Sequence, residues 1–115
     1  MYTNNSCTIY HRGYDPVKRM DTWSRTYVED VYLETTRGQK LMSEGWSSDC
    51  NMFLMIPYQP LEISEQDIIV EGIADEEISS SFGIADIHKK YNAFTIIEVD
   101  KFNFGYNPHY EIRGK

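Results

Sequence analysis

The chain has 115 residues, 11 Lys and Arg against 18 Asp and Glu, and a net charge of -7. That length suits one hydrophobic core, and the acidic balance argues against a protein whose main task is to grip nucleic-acid backbone. With 41% apolar and 14% aromatic residues the chain can close a core without metal or disulfide support, and no stretch approaches the roughly 20 apolar residues that span a bilayer. The start, Met1 to Ser6, has neither a basic leader nor an apolar run, which argues against a secretory signal. Two cysteines, Cys7 and Cys50, make no disulfide framework. The expectation is a soluble intracellular domain spanning residues 1–115. The apolar residues are those that fit a pleated surface: 12 Ile and 5 Val against 4 Leu and 3 Ala, with 7 Thr and 16 aromatics.

In chain order, Cys7 to Arg12 reads as a first strand and Gly13-Tyr14-Asp15-Pro16 as a turn. Asp21 to Thr36 is a longer strand. Neither of its alternating rows is purely apolar, so a bulge or bend near Val28 to Asp30 is expected to move the buried face. Arg37-Gly38 reads as a turn into a strand over Gln39 to Trp46. Cys50 to Ile56 is the most apolar run, of strand length, and Pro57 ends it. A loop from Tyr58 to Gln66 leads to a strand over Asp67 to Ile73, and Ala74 to Ser81, acidic and serine-rich, reads as an exposed linker. Ile84, Ile87 and Tyr91 fall at helical spacing, with Lys89 and Lys90 in the last turn and a serine among Ser79, Ser80 and Ser81 as cap, so one short helix is expected over Phe82 to Tyr91. Ala93 to Lys101 and Pro108 to Arg113 complete the strands, with turn chemistry at Gly105 and Asn107. The expected core is Ile9, Val31, Leu33, Met52, Leu54, Ile56, Ile68, Val70, Phe94, Ile96, Val99 and Ile112.

Chemistry is sparse. His11, His88 and His109 have no metal-ligand spacing and read as partly exposed strand histidines; Cys7 and Cys50 lie 43 positions apart with no CxxC, Cys50 reading as a core residue and Cys7 as a small strand residue. Consecutive Asp75-Glu76-Glu77 lack the alternating ligand plan of a calcium loop. No phosphate-cradling glycine loop and no nucleophile elbow is present, so no enzyme and no cofactor is expected. The surplus of aromatics points elsewhere. Trp23, Tyr27, Tyr32, Trp46, Tyr58, Phe104 and Tyr106 sit on or beside loops and bent strands, where amphipathic rings serve assembly or cap the ends of a small barrel.

Several phrases taken together carry a resemblance: Met1-Tyr2-Thr3-Asn4 with Thr8-Ile9-Tyr10, Met55-Ile56-Pro57, Leu61-Glu62-Ile63, Asp67 to Ile73, Asp75 to Ile78, Val99-Asp100 and His109-Tyr110-Glu111. In this order they resemble a group of small prophage proteins of Gram-positive bacteria that look like products of the head–tail morphogenesis cluster. The early Trp23-Ser24-Arg25 with Val28 and Val31, and the strand pair Asp67 to Gly72 and Phe94 to Val99, is similar to the head-closure proteins of tailed phages. In this chain the segment from Ala74 to Tyr91 is longer than that pattern. The resemblance implies a virion component, made in the host cytoplasm, that forms a homo-oligomeric ring between portal or adaptor and tail proteins. DNA passes through such a ring without specific binding, an acidic surface repels its phosphates, and no membrane is involved. Glu76 and Glu77 then join the aromatics as candidate contact residues.

The expectation is therefore a mainly β domain, a small β-barrel or sandwich of about six or seven strands with one short α-helix, working as a non-enzymatic part of the head–tail junction (head closure, tail completion or minor capsid). The alternative is a small acidic phage-encoded inhibitor or regulator that binds a host protein.

Overall fold

The computed structural model describes residues 3–35 and 51–115. The expected strand over Gln39 to Trp46, with Trp46 and Cys50, lies outside the described residues. Among the described residues six strands and one helix follow one another as β1 (Asn5–Asp15), β2 (Met20–Thr35), β3 (Met52–Pro57), β4 (Ile68–Glu71), α1 (Ile84–Lys90), β5 (Ala93–Phe102) and β6 (His109–Gly114). They close into an antiparallel barrel in the order β1-β2-β3-β6-β5-β4, the small β-barrel that the composition implies.

Period-two alternation fills the interior. Cys7 and Ile9, Met52, Leu54 and Ile56, Phe94 and Ile96, and Tyr110 and Ile112 point inward from their strands and pack into one core. Aligned neighbours form belts around the barrel: Leu33 opposite Leu54, Leu54 opposite Ile112, and Ile112 opposite Val99. Each fully buried Ile or Leu contributes about 1.5–3 kcal/mol of transfer free energy. Of the core residues read from the sequence only Val99 is partly rather than fully buried.

Two register shifts bend the sheet into closure. Asn5 pairs with Val31 and Cys7 with Val28, so β2 carries one extra residue between Val28 and Val31, and Val28, Val31 and Leu33 all face the core. This is the bulge that the mixed alternation calls for. The second lies on β5, where Ile96 pairs with Gly114 and Glu98 with Arg113.

The first turn differs from expectation. β1 continues through Gly13, Tyr14 and Asp15, and the reversal occurs at Pro16 to Arg19. Asp15 holds it by accepting hydrogen bonds through Oδ1 from the Val17 and Lys18 amides at 2.9 and 3.3 Å, and Arg19 takes a left-handed φ of 53°. Gly13 belongs to the ladder opposite Thr22, where a Cβ would come 3.0 Å from Thr22 Oγ1.

The run from Ala74 to Ser81 is the second correction. Tyr10, Ile68 and Val70 point outward from the barrel and form a second apolar cluster with Ala74 and Ile87, against which Trp23, Ile78, Phe82 and Tyr91 pack. Residues 72–91 therefore lie over the outside of β1 and β4 as a cover, because Ile68-Ile69-Val70 are apolar at consecutive positions and both faces of β4 need shielding. Within the helix Ile87 is buried and Ile84 is exposed, so the expected apolar stripe narrows to its centre. The cap is Gly83, whose amide donates to Asp86 Oδ2 at 2.8 Å, in place of a serine. Ile73, expected within the fourth strand, follows it and is exposed.

Gly114 sits where the barrel is tightest. A Cβ there would lie 2.7 Å from the Thr95 carbonyl oxygen and 2.8 Å from Met52 Cε. Gly114→Ala is expected to lower stability by about 1–3 kcal/mol through this overpacking, measured by urea denaturation.

Candidate functional site

Because every neighbouring pair is antiparallel, the β1–β2 turn, the 58–67 connection and the 103–108 loop emerge at the same end of the barrel. That end carries most of the large apolar side chains left in solvent among the described residues: Tyr14, Val17 and Met20 on the β1–β2 ribbon, and Phe104 and Tyr106 on the β5–β6 loop. Val17 is 89% exposed, Phe104 73% and Tyr106 109%, so most of their apolar surface faces solvent. The loop is shaped by Gly105 at φ +81° and by Phe102, whose ring lies 6.1 Å from that of Phe104 and 5.2 Å from His109. Phe102 thus forms an aromatic base from which Phe104 and Tyr106 project.

The other aromatics singled out from the sequence are spread over the molecule. Tyr58 stacks on Tyr110 at 5.5 Å beside the core, with the Lys101 ammonium 5.3 Å over its ring, so it plugs the barrel end. Tyr32 is half-buried and donates to Glu34 Oε1 at 2.6 Å. Tyr27 is 42% exposed on β2, beside a hollow of about 370 Å³ shared with Pro57 and Gln59. Trp23 and Ile78 both pack against the outer apolar cluster, and with Glu77 they line a hollow of about 310 Å³ that also includes Tyr10 and Arg25. A larger hollow of about 510 Å³, also bordered by Trp23 and Ile78, reaches Met20 and Lys18. The sequence reading missed Tyr14, Val17 and Met20. Their signal was apolar side chains in a polar hairpin tip.

Glu76 holds the cover. Its carboxylate accepts hydrogen bonds from Lys90 Nζ and Tyr91 Oη, and its carbonyl accepts one from Tyr10 Oη at 2.5 Å. The lysine and tyrosine bonds draw its pKa from 4.5 to about 2 and raise those of Lys90 and Tyr91. Farther along, Thr8 Oγ1 donates to the Gly72 carbonyl at 2.8 Å and accepts from the Ala74 amide at 3.0 Å, and Arg25 Nη1 donates to the Ala74 carbonyl at 2.8 Å.

Two histidines stand against carboxylates. Asp67 is fully buried; its Oδ2 contacts His11 Nδ1 at 2.7 Å and accepts from the Ser64 amide at 2.8 Å, while Oδ1 accepts from the Arg12 amide at 3.0 Å. Ser24 stands opposite His11 in the ladder, but His11 Nε2 faces Glu62 at 3.8 Å. The Asp67 contacts tie the 58–67 connection to β1, which is a structural task. His109 contacts the Asn107 carbonyl at 2.7 Å and Glu111 at 3.0 Å. Burial disfavours the charged ring, but these two acceptors outweigh it and raise its pKa. Neither histidine lines the three hollows. Burial pushes the Cys7 thiol up to about 12, so it stays protonated inside the core. Among the described residues no three His, Cys, Asp or Glu side chains form a group able to hold a metal, and no helix is long and apolar enough to cross a membrane.

The fold and surface define a closed six-stranded antiparallel barrel with an apolar, loop-bearing end. Residues 2–115 match the model of a family of unknown function, DUF6751, and the chain belongs to that family. No curated protein and no solved structure matches it.

Two predictions follow from these contacts. Glu76 has a lowered folded pKa, so its contribution to stability is complete above pH 4.5 and is lost as pH falls toward about 2. Denaturation measured across that window should show the loss, and Glu76→Gln should reduce the slope. Asp67→Ala should cost about 2–4 kcal/mol by leaving two amides unpaired, and His11→Ala about 1 kcal/mol, as read by urea unfolding.

Proposed function

We propose that this protein is a non-enzymatic structural component of a tailed-phage particle, working at the head–tail junction as a head-closure, joining or tail-completion piece. The observation that carries the reading is the concentration of exposed apolar side chains, Tyr14, Val17, Met20, Phe104 and Tyr106, on two connections at one end of a closed barrel. Exposed apolar groups of this size have a solvation cost and are typical of surfaces that another protein covers. The resemblance of several ordered phrases to prophage morphogenesis proteins supports the class of partner in this reading: portal or adaptor on one side, tail proteins on the other, and further copies of this chain in the ring.

Charge is consistent with a conduit. The net charge of -7 repels phosphate, so a genome moving past such a surface would not adhere. The alternative of a nucleic-acid mimic draws less support, because a mimic needs free carboxylates arrayed on one face. Here Glu98, Asp100 and Glu111 converge on Arg113, and Glu76 is paired with Lys90.

The test is binding to portal, head-closure and tail-tube proteins from the same genome, with mass spectrometry of purified virions. The expected outcome is a partner among them and the polypeptide in the particle. Phe104→Ser with Tyr106→Ser should weaken that binding at least about tenfold while leaving the melting temperature in place. A virion without the polypeptide, together with no binding to any of the three, removes the proposal.

A further inference from the structure

β3 covers β2 only over Tyr32 to Thr35, and β4 covers β1 only over Cys7 to Tyr10. Beyond these limits β1 and β2 continue as a two-stranded ribbon. From Met20 to Asp30, β2 has β1 along one side and, among the described residues, no strand along the other. From Met20 to Tyr27 every side chain but Trp23 is exposed. The three hollows all border this stretch: two flank Trp23 and the third opens at the fork between Tyr27 to Asp30 and Pro57. Such an edge presents a row of backbone donors and acceptors to another strand.

The side chains indicate which strand. In a two-fold antiparallel pairing of this edge with itself, opposed residues must point to the same face, so the axis passes through a residue. An axis at Arg25 opposes Arg25 to Arg25 and Asp21 to Glu29, two kinds of like-charge contact. An axis at Trp23 pairs a shorter stretch and opposes Trp23, half-buried against the outer apolar cluster, to itself. An axis at Ser24 has neither fault. It opposes Trp23 to Arg25 twice, Thr22 to Thr26 twice, Met20 to Val28 twice and Asp21 to Tyr27 twice, and it brings the exposed Lys18 and Arg19 toward Asp30 and Glu29 of the other copy. Cation–ring pairs, Thr–Thr pairs and opposite charges are the cross-strand combinations that stabilise a sheet.

We infer that two copies of this chain pair through the outer edge of β2, antiparallel about Ser24, so that their ribbons form one four-stranded sheet. This surface is separate from the apolar loop end, and the inference stands whether or not the phage reading does.

Cysteine crosslinking in a Cys50→Ser background tests both the pairing and its register. Directly opposed residues of an antiparallel pair have Cα atoms about 4.5–5.5 Å apart, within disulfide reach. Under diamide, Ser24→Cys should form a covalent dimer by itself. Thr22→Cys and Thr26→Cys should each remain monomeric alone and crosslink when mixed. Ser80→Cys, exposed on the cover, is the control. Sedimentation of the unmodified protein should show a species of twice the chain mass. A monomer at the highest soluble concentration, Ser24→Cys crosslinking no better than Ser80→Cys, or Thr22→Cys crosslinking alone would each overturn the inference.

Discussion

The barrel closes through a four-residue strand. Among the described residues β4 is the only link between β1 and β5, and its Ile68, Ile69 and Val70 are all buried, one facing the interior and two facing outward. Closure therefore depends on burying both faces of a strand too short to gain much from its own ladder. The interior supplies one face with Ile9 and Phe94 as aligned neighbours of Ile69. The segment from Gly72 to Tyr91 supplies the other. Its polar ties to Thr8, Tyr10 and Arg25 place it, while Asp67 fixes the approach to the strand by joining the Ser64 and Arg12 amides. Losing any of these loosens the seam at which the sheet becomes a barrel.

This arrangement divides the molecule. The cover over β1 and β4, the buried carboxylate and the Tyr58–Tyr110 stack all serve closure. The tip of the β1–β2 ribbon and the 103–108 loop, at the same end as the Tyr58 plug, are relieved of that task and keep apolar rings and a strand edge in solvent. A closed body with spare contact surface suits the assembly role proposed above, since little ordering entropy is lost when a preformed loop docks.

Much of the fold was legible. Strand-forming residues in short runs bounded by turn signals located the described strands, and the broken alternation of Asp21 to Thr36 located the bulge, because pleating gives each face a strict period of two. The first turn was misplaced because Gly13 and Tyr14 carry turn-like and strand-like chemistry together, and only the ladder to Asp21 and Thr22 decides between them. The linker reading of Ala74 to Ser81 was wrong for a related reason. Acidic and serine-rich composition reports what faces water, whereas Ala74, Ile78 and the Glu76 carbonyl face the barrel. For the surface, tyrosine and tryptophan enrichment found Phe104 and Tyr106, but it also selected Tyr58 and Tyr32, whose packing and bonding are internal.

By itself, then, the sequence determined the β class, much of the core and the point at which the longest strand must bend, since these follow from residue volume and from side chains alternating along one chain, but not the burial of Tyr10, Val28, Phe53, Ile87 and Tyr110. The tertiary structure decided which strands meet to close the barrel, that a polar-looking segment becomes part of the packing, and which aromatics are left free. Those outcomes depend on partners as far as 66 positions apart, such as Tyr10 and Glu76, and local pattern carries no information about pairs that only folding brings together.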